Sequence, residues 1–241
     1  MRRAPSPRVE TATRLPLAIV SGLLLLVFPF VAPWLPRPPF WWALLSALVV
    51  NLTLLGTCCG SLSSLCTARP RVLLLLAVVG LGAGAAFTAL GWVGPADGGK
   101  LVLAAAIGYW LAAQIGDLRL VLLVAAVSAA VDLFSVFRGP TKAILEQAPR
   151  AVDYLTVAFA WPGYHPTEMV TALGISDVIF FCLYLGVARR FGLRPLATAL
   201  ALCAAIVATV AIGVRWGALP VLPMLALAFV AANVDVLLRR D

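Results

Sequence analysis

Charge is the first shortage. Only 12% of the 241 residues are charged, while 63% are hydrophobic. A soluble domain of this size carries roughly a quarter charged residues, so a separate soluble domain is excluded and an all-α polytopic membrane protein is expected. Histidine is nearly missing: His165 stands alone, between Tyr164 and Pro166 in a loop, which leaves a histidine-based metal site without ligands. The five cysteines, Cys58, Cys59, Cys66, Cys182 and Cys203, are odd in number and form no CxxC pair. That excludes a disulfide framework and leaves small apolar side chains for burial. Neither an internal repeat nor a low-complexity tract is present.

The net charge is +8. In a soluble protein it would point to nucleic acid. Here the Lys and Arg residues lie in short gaps between apolar runs, where they set orientation in a bilayer; no nucleic-acid partner is expected. The N-terminal "MRRAPSPRVETATR" is basic and polar. The apolar run after it resembles a signal-peptide core. Its length of about 20 residues and the lack of a small-x-small cleavage site predict a retained first span.

Eight apolar segments are long enough, or nearly so, to cross the hydrocarbon layer of about 30 Å. They run at about 15–35, 41–66, 72–93, 100–116, 119–137, 167–189, 195–214 and 218–238. An even number of spans puts both termini on one side. That side collects Arg2, Arg3, Arg8, Arg14, Arg69, Arg71, Arg119, Arg189, Arg190, Arg194, Arg239 and Arg240; the other collects Arg37, Lys100, Arg138, Lys142, Arg150 and Arg215. The bias places both termini in the cytoplasm. The Ala-, Leu- and Arg-rich usage hints at a GC-rich prokaryotic genome, hence a plasma membrane. The chain divides into a basic tail over 1–14, a helical bundle over 15–116 and a second half over 117–241.

The 138–166 connection is the longest and faces outward. It contains the β-prone stretch "YLTVAFAW". The plainer expectation is a segment lying at the membrane interface; the sharper one is a flap or strand over a site.

Of the ten acidic residues, Glu10, Asp97, Glu146, Asp153 and Asp241 fall in polar segments or termini, and Asp117 and Glu168 at span ends. Asp235 has Arg239 one turn away, and an i,i+4 pair accounts for it. Asp132, in "VDLFSVFRGP", and Asp177, in "GISDVIFFCLYLGVA", remain. A carboxylate in lipid needs a partner or a task. The two lie on consecutive antiparallel spans, about 8 Å and about 15 Å in from the same side at the helical rise. An unwound start at "TALGIS" would reduce the difference. Two carboxyls sharing a low-dielectric site hold one proton between them and can act as acid and base together. The same pair would suit a proton relay in a transporter. A third interruption, "GALPVLPM", falls on the same side. Pro220 and Pro223 cannot donate to a helix ladder, and irregular backbone at membrane depth is tolerated where it lines a cavity or is buried in protein.

These three stretches, in this order, resemble the presenilin and signal peptide peptidase family of intramembrane aspartyl proteases, whose GxGD-type signature is Tyr-Asp, then Gly-x-Gly-Asp, then Pro-Ala-Leu. "VDLFSVFRGP" is similar to the first, "GISDVIFF" to the second and "ALPVLP" to the third, over about 120–240. Val131 stands in place of the tyrosine, Ser176 in place of the second glycine and Val221 in place of the alanine. The resemblance implies Asp132 and Asp177 as catalytic residues. It implies Gly174, Ser176, Leu219, Pro220, Val221, Leu222 and Pro223 as substrate-binding residues. It also implies a transmembrane helix of another protein as the substrate, in the bilayer, with no metal or organic cofactor. A proton-coupled transporter or channel, and a non-catalytic scaffold of the same fold, are the alternatives.

Overall fold

The computed structural model describes residues 7–138, 149–165, 171–217 and 219–238. Among them are nine helices and two short strands: α1 Pro7–Val31, α2 Phe40–Leu62, α3 Pro70–Ala89, α4 Val93–Gln114, α5 Leu118–Arg138, α6 Pro149–Leu155, β1 Thr156–Ala158, β2 Ala172–Gly174, α7 Ile175–Arg190, α8 Pro195–Trp216 and α9 Leu222–Leu238. Five stretches are long and apolar enough to cross a membrane: Pro16–Trp34, Phe40–Thr67, Pro70–Ala89, Leu118–Arg138 and Pro195–Trp216. Short 3-10 turns extend the first two beyond their α-helices. The helix starts follow local chemistry: α3 and α8 open on Pro70 and Pro195, where the missing N–H costs nothing and φ is already set.

The centre of the bundle is α7. Phe181, Cys182, Leu183, Tyr184, Leu185, Val187 and Ala188 are all 1% exposed or less, so this helix is apolar all round and enclosed by its neighbours. It packs most closely on α4. An added Cβ on Gly108 would stand 2.5 Å from the Ile179 carbonyl oxygen, and one on Gly186 would stand 2.7 Å from the Ala112 Cβ. Small residues let helix backbones approach this closely, as membrane helix pairs commonly do. An added Cβ on Gly99 would likewise collide with the Gly84 amide nitrogen, a close approach that joins α4 to α3. By contrast α5 is peripheral. It docks mainly on α9, and Val121 and Ala125 are its buried residues.

The bundle's two ends differ. Trp34, Trp41, Trp42, Trp92 and Trp216 are each more than half exposed, and all sit at helix ends on the side where α5 finishes and α7 begins. Trp side chains favour the level of lipid headgroups. The segment after β1 closes over this end. Gly163, at φ +76, donates its N–H to the Ala32 carbonyl at 2.7 Å, and Arg37 stacks 4.1 Å over the Tyr164 ring.

Three sequence expectations need correcting. α4 starts at Val93, not near 100, so "VGPADGGK" is helical. Among the described residues of the sixth apolar segment, a strand precedes the helix. Residues 172–174 are strand and α7 begins only at Ile175, with 166–170 outside the described residues. Of the 138–166 connection, 139–148 also lies outside them. The rest is a short helix and a strand rather than a plain interfacial segment.

Candidate active site

Asp132 lies near the C-terminal end of α5 and is half-buried. Its Oδ2 accepts the Leu222 N–H at 3.0 Å. Leu222 is the first residue of α9, and the first intrahelical bond there runs from the Leu225 N–H to the Val221 carbonyl. The leading amides of a helix have no internal partner, and its positive dipole end favours a carboxylate. Asp132 therefore caps α9 from another helix. Pro223, next in line, has no N–H to satisfy. Pro220 and Leu222 are buried, whereas Leu219, Val221 and Pro223 are partly exposed.

Asp177 is the third residue of α7 and only 8% exposed. Its Oδ2 accepts the Gly174 N–H at 3.1 Å. This is half of a capping box; Gly174 has no side chain to return the bond. A Cβ at Gly174 would sit 3.0 Å from Asp177 Oδ2 and 3.3 Å from Ser176 Oγ. With φ −61 the glycine serves here by leaving room, not by handedness. Ser176 is exposed.

The unwound start at "TALGIS" thus puts Asp177 at the beginning of its helix rather than deep within it. Asp132 holds the first turn of α9 and Asp177 the first turn of α7. They come from separate helices at one end of the bundle. Each uses one oxygen, Oδ2, for its backbone hydrogen bond among the described residues. Val131, in the tyrosine's place, is 61% exposed on the outer face of α5.

Just before Asp177 the chain forms a two-stranded antiparallel sheet, with Thr156 opposite Gly174, Val157 opposite Leu173 and Ala158 opposite Ala172. The Phe159 N–H to Thr171 carbonyl bond extends it at 3.0 Å, and Trp161 Nε1 donates to Thr171 Oγ1 at 2.7 Å. "YLTVAFAW" therefore delivers a strand that joins the Asp177 helix.

Sequence reasoning missed Asp97 and Lys100. Both were placed in polar connections, yet both are buried on α4 as an ion pair of 2.9 Å. Their other bonds reach the α6–β1 segment: Lys100 Nζ donates to the Asp153 carbonyl at 2.6 Å and the Thr156 carbonyl at 2.7 Å, and Asp97 Oδ2 accepts the Ala158 N–H at 3.0 Å. The i,i+3 spacing was the available signal. Asp235 also differs from expectation. Its ionic partner is Arg194, at the start of α8; Arg239 lies outside the described residues.

A groove of about 610 Å³ runs past Lys100, Thr156, Gly174 and Ser176. A smaller cavity of about 130 Å³ is lined by Asn51, Cys59, Asp97, Phe159 and Val178. Among the described residues no three His, Cys, Asp or Glu side chains gather as a metal site. No protein-family model matches the chain, and no curated protein matches it.

Proposed function

We propose that this chain is an intramembrane aspartyl protease of presenilin-like type. It would cross a prokaryotic plasma membrane eight times with both termini in the cytoplasm, and would cleave transmembrane segments of other proteins. One observation carries the proposal: Asp132, on α5, and Asp177, on α7, are each hydrogen-bonded to backbone at a helix start, α9 and α7, at the same end of the bundle. The Pro220–Leu222 segment is hydrogen-bonded to one of them.

The chemistry follows from one shared proton. Water lies between the carboxyls. The ionised acid takes a proton from it as its oxygen attacks the peptide carbonyl, and the protonated acid donates to the carbonyl oxygen. The tetrahedral diol then collapses, the C–N bond breaks, and the amine leaves with a proton returned from the dyad. An intact helix hides its carbonyls in its own hydrogen bonds, so the substrate must unwind locally to present a strand. The irregular backbone at Leu219–Val221 can pair with such a strand.

A second reading has an observation of its own. Each acid accepts a backbone N–H at a helix start, so both could serve purely to cap helices in a non-catalytic scaffold. Reconstituted full-length protein with a membrane-embedded peptide substrate separates the two. The protease reading requires Asp132→Ala and Asp177→Ala each to abolish cleavage, and requires a transition-state analogue of aspartyl proteases to inhibit the wild type. Cleavage that survives either substitution overturns it.

A further inference from the structure

The sheet that leads into Asp177 has an edge that needs a partner. The Phe159–Thr171 bond fixes the alternation of the antiparallel ladder. Residues 157 and 159 face β2, while Thr156 and Ala158 turn their N–H and C=O groups away from it. A two-stranded ribbon is marginal by itself, and an open strand edge invites another strand.

The groups that meet this edge are side chains, not backbone. Lys100 Nζ donates to the Thr156 carbonyl, and Asp97 Oδ2 accepts the Ala158 N–H, at 2.7 and 3.0 Å. Acceptor and donor on β1 are thus matched by donor and acceptor on α4, as a third strand would match them. The ion pair between the two closes the pattern at 2.9 Å, and the third Lys100 N–H goes to the Asp153 carbonyl. An ammonium has three donors, and here every one is used. Both side chains are less than a tenth exposed.

We propose that Asp97 and Lys100 are positioning residues, a side-chain substitute for a third strand that seals the outer edge of β1 and fixes the register of the hairpin feeding Asp177. The path is continuous: α4 holds β1, β1 pairs with β2, β2 ends at Gly174, and the Gly174 N–H is bonded to Asp177. A buried ion pair contributes little net stability against an apolar pair of equal size; fixing one geometry is the role left to it. The edge-sealing function stands on the structure alone, whereas its effect on catalysis rests on the protease reading.

The test uses full-length protein in lipid nanodiscs. Because a single neutralisation leaves one buried charge bare, the main variant is the double substitution Asp97→Asn, Lys100→Met. A second variant, Ala158→Pro, removes the N–H that Asp97 accepts while leaving both charges in place, at a position that faces away from β2. Lys100→Arg is the conservative control. Amide exchange at Phe159 and Leu173 is expected to quicken at least tenfold in the double variant, and less in Ala158→Pro. Exchange in the middle of α4 should be unchanged, and Lys100→Arg should stay close to wild type. In parallel, kcat per inhibitor-titrated site should fall at least tenfold in the double variant with KM within twofold, and Lys100→Arg should keep it close to wild type. Unchanged exchange at Phe159 and Leu173 in both variants overturns the proposal. Faster exchange in a protein whose wild type cleaves nothing supports the edge seal and defeats the protease reading instead. Exchange that quickens without any loss of kcat overturns the positioning role.

Discussion

Asp132 on α5 accepts the Leu222 N–H across 3.0 Å, so one candidate catalytic acid is also the cap of the helix that follows the Pro220–Pro223 segment. The two roles come apart under substitution. Asparagine caps helices about as well as aspartate, whereas alanine at a cap costs about 1 kcal/mol. Asp132→Asn is therefore expected to keep the melting temperature within a degree or so of wild type, and Asp132→Ala to lower it. Both should be inactive on a membrane-embedded substrate. Thermal unfolding in detergent alongside a cleavage assay checks the split; equal destabilisation by both variants would contradict the cap.

Gly108 sits where α4 touches α7. Its Cβ would stand 2.5 Å from the Ile179 carbonyl and 2.7 Å from the Cys182 Cβ, and backbone cannot give way as a flexible side chain can. Overpacking of this kind costs typically 1–3 kcal/mol. Gly108→Ala should lower stability by about that amount and reduce activity by displacing the helix that carries Asp177. Gly82, on the exposed face of α3, has nothing within 4 Å of an added Cβ. Gly82→Ala should be neutral or slightly stabilising, and side-by-side melting curves decide.

Tyr184 is fully buried, and its hydroxyl has no hydrogen-bond partner among the described residues. Its ring stacks on Phe229 with centroids 4.8 Å apart. A buried polar group left unpaired costs about 1–3 kcal/mol, and removing it relieves that cost. Tyr184→Phe keeps the ring and should raise stability or leave it unchanged. A clear fall in melting temperature would mean that the hydroxyl has a bonded partner, such as Ser128 or a buried water.

Much of the helical architecture is legible in the sequence because lipid demands long apolar runs, and each apolar segment overlaps one of the long helices. Asp132 and Asp177 stand out for the same reason: they are charges without a local cation. "VGPADGGK" misleads because glycine and proline normally mark a break. Here Gly98 and Gly99 are packing surfaces, against Leu26 and Gly84, and Pro95 sits in the first turn of α4, where it is tolerated. The burial of Asp97 and Lys100 was hidden with them, since what satisfies the pair is backbone more than fifty residues away. Likewise the partner of Asp235 is chosen by the α8–α9 packing, which brings Arg194 to it, and no local pattern encodes that.

The acids are also mounted very differently. Asp177 belongs to the most enclosed helix of the bundle, while the α5 span that carries Asp132 is only 11% buried within the protein. In the proposed bilayer setting, lipid would meet the helix that carries Asp132 directly, whereas it would reach Asp177 only through protein.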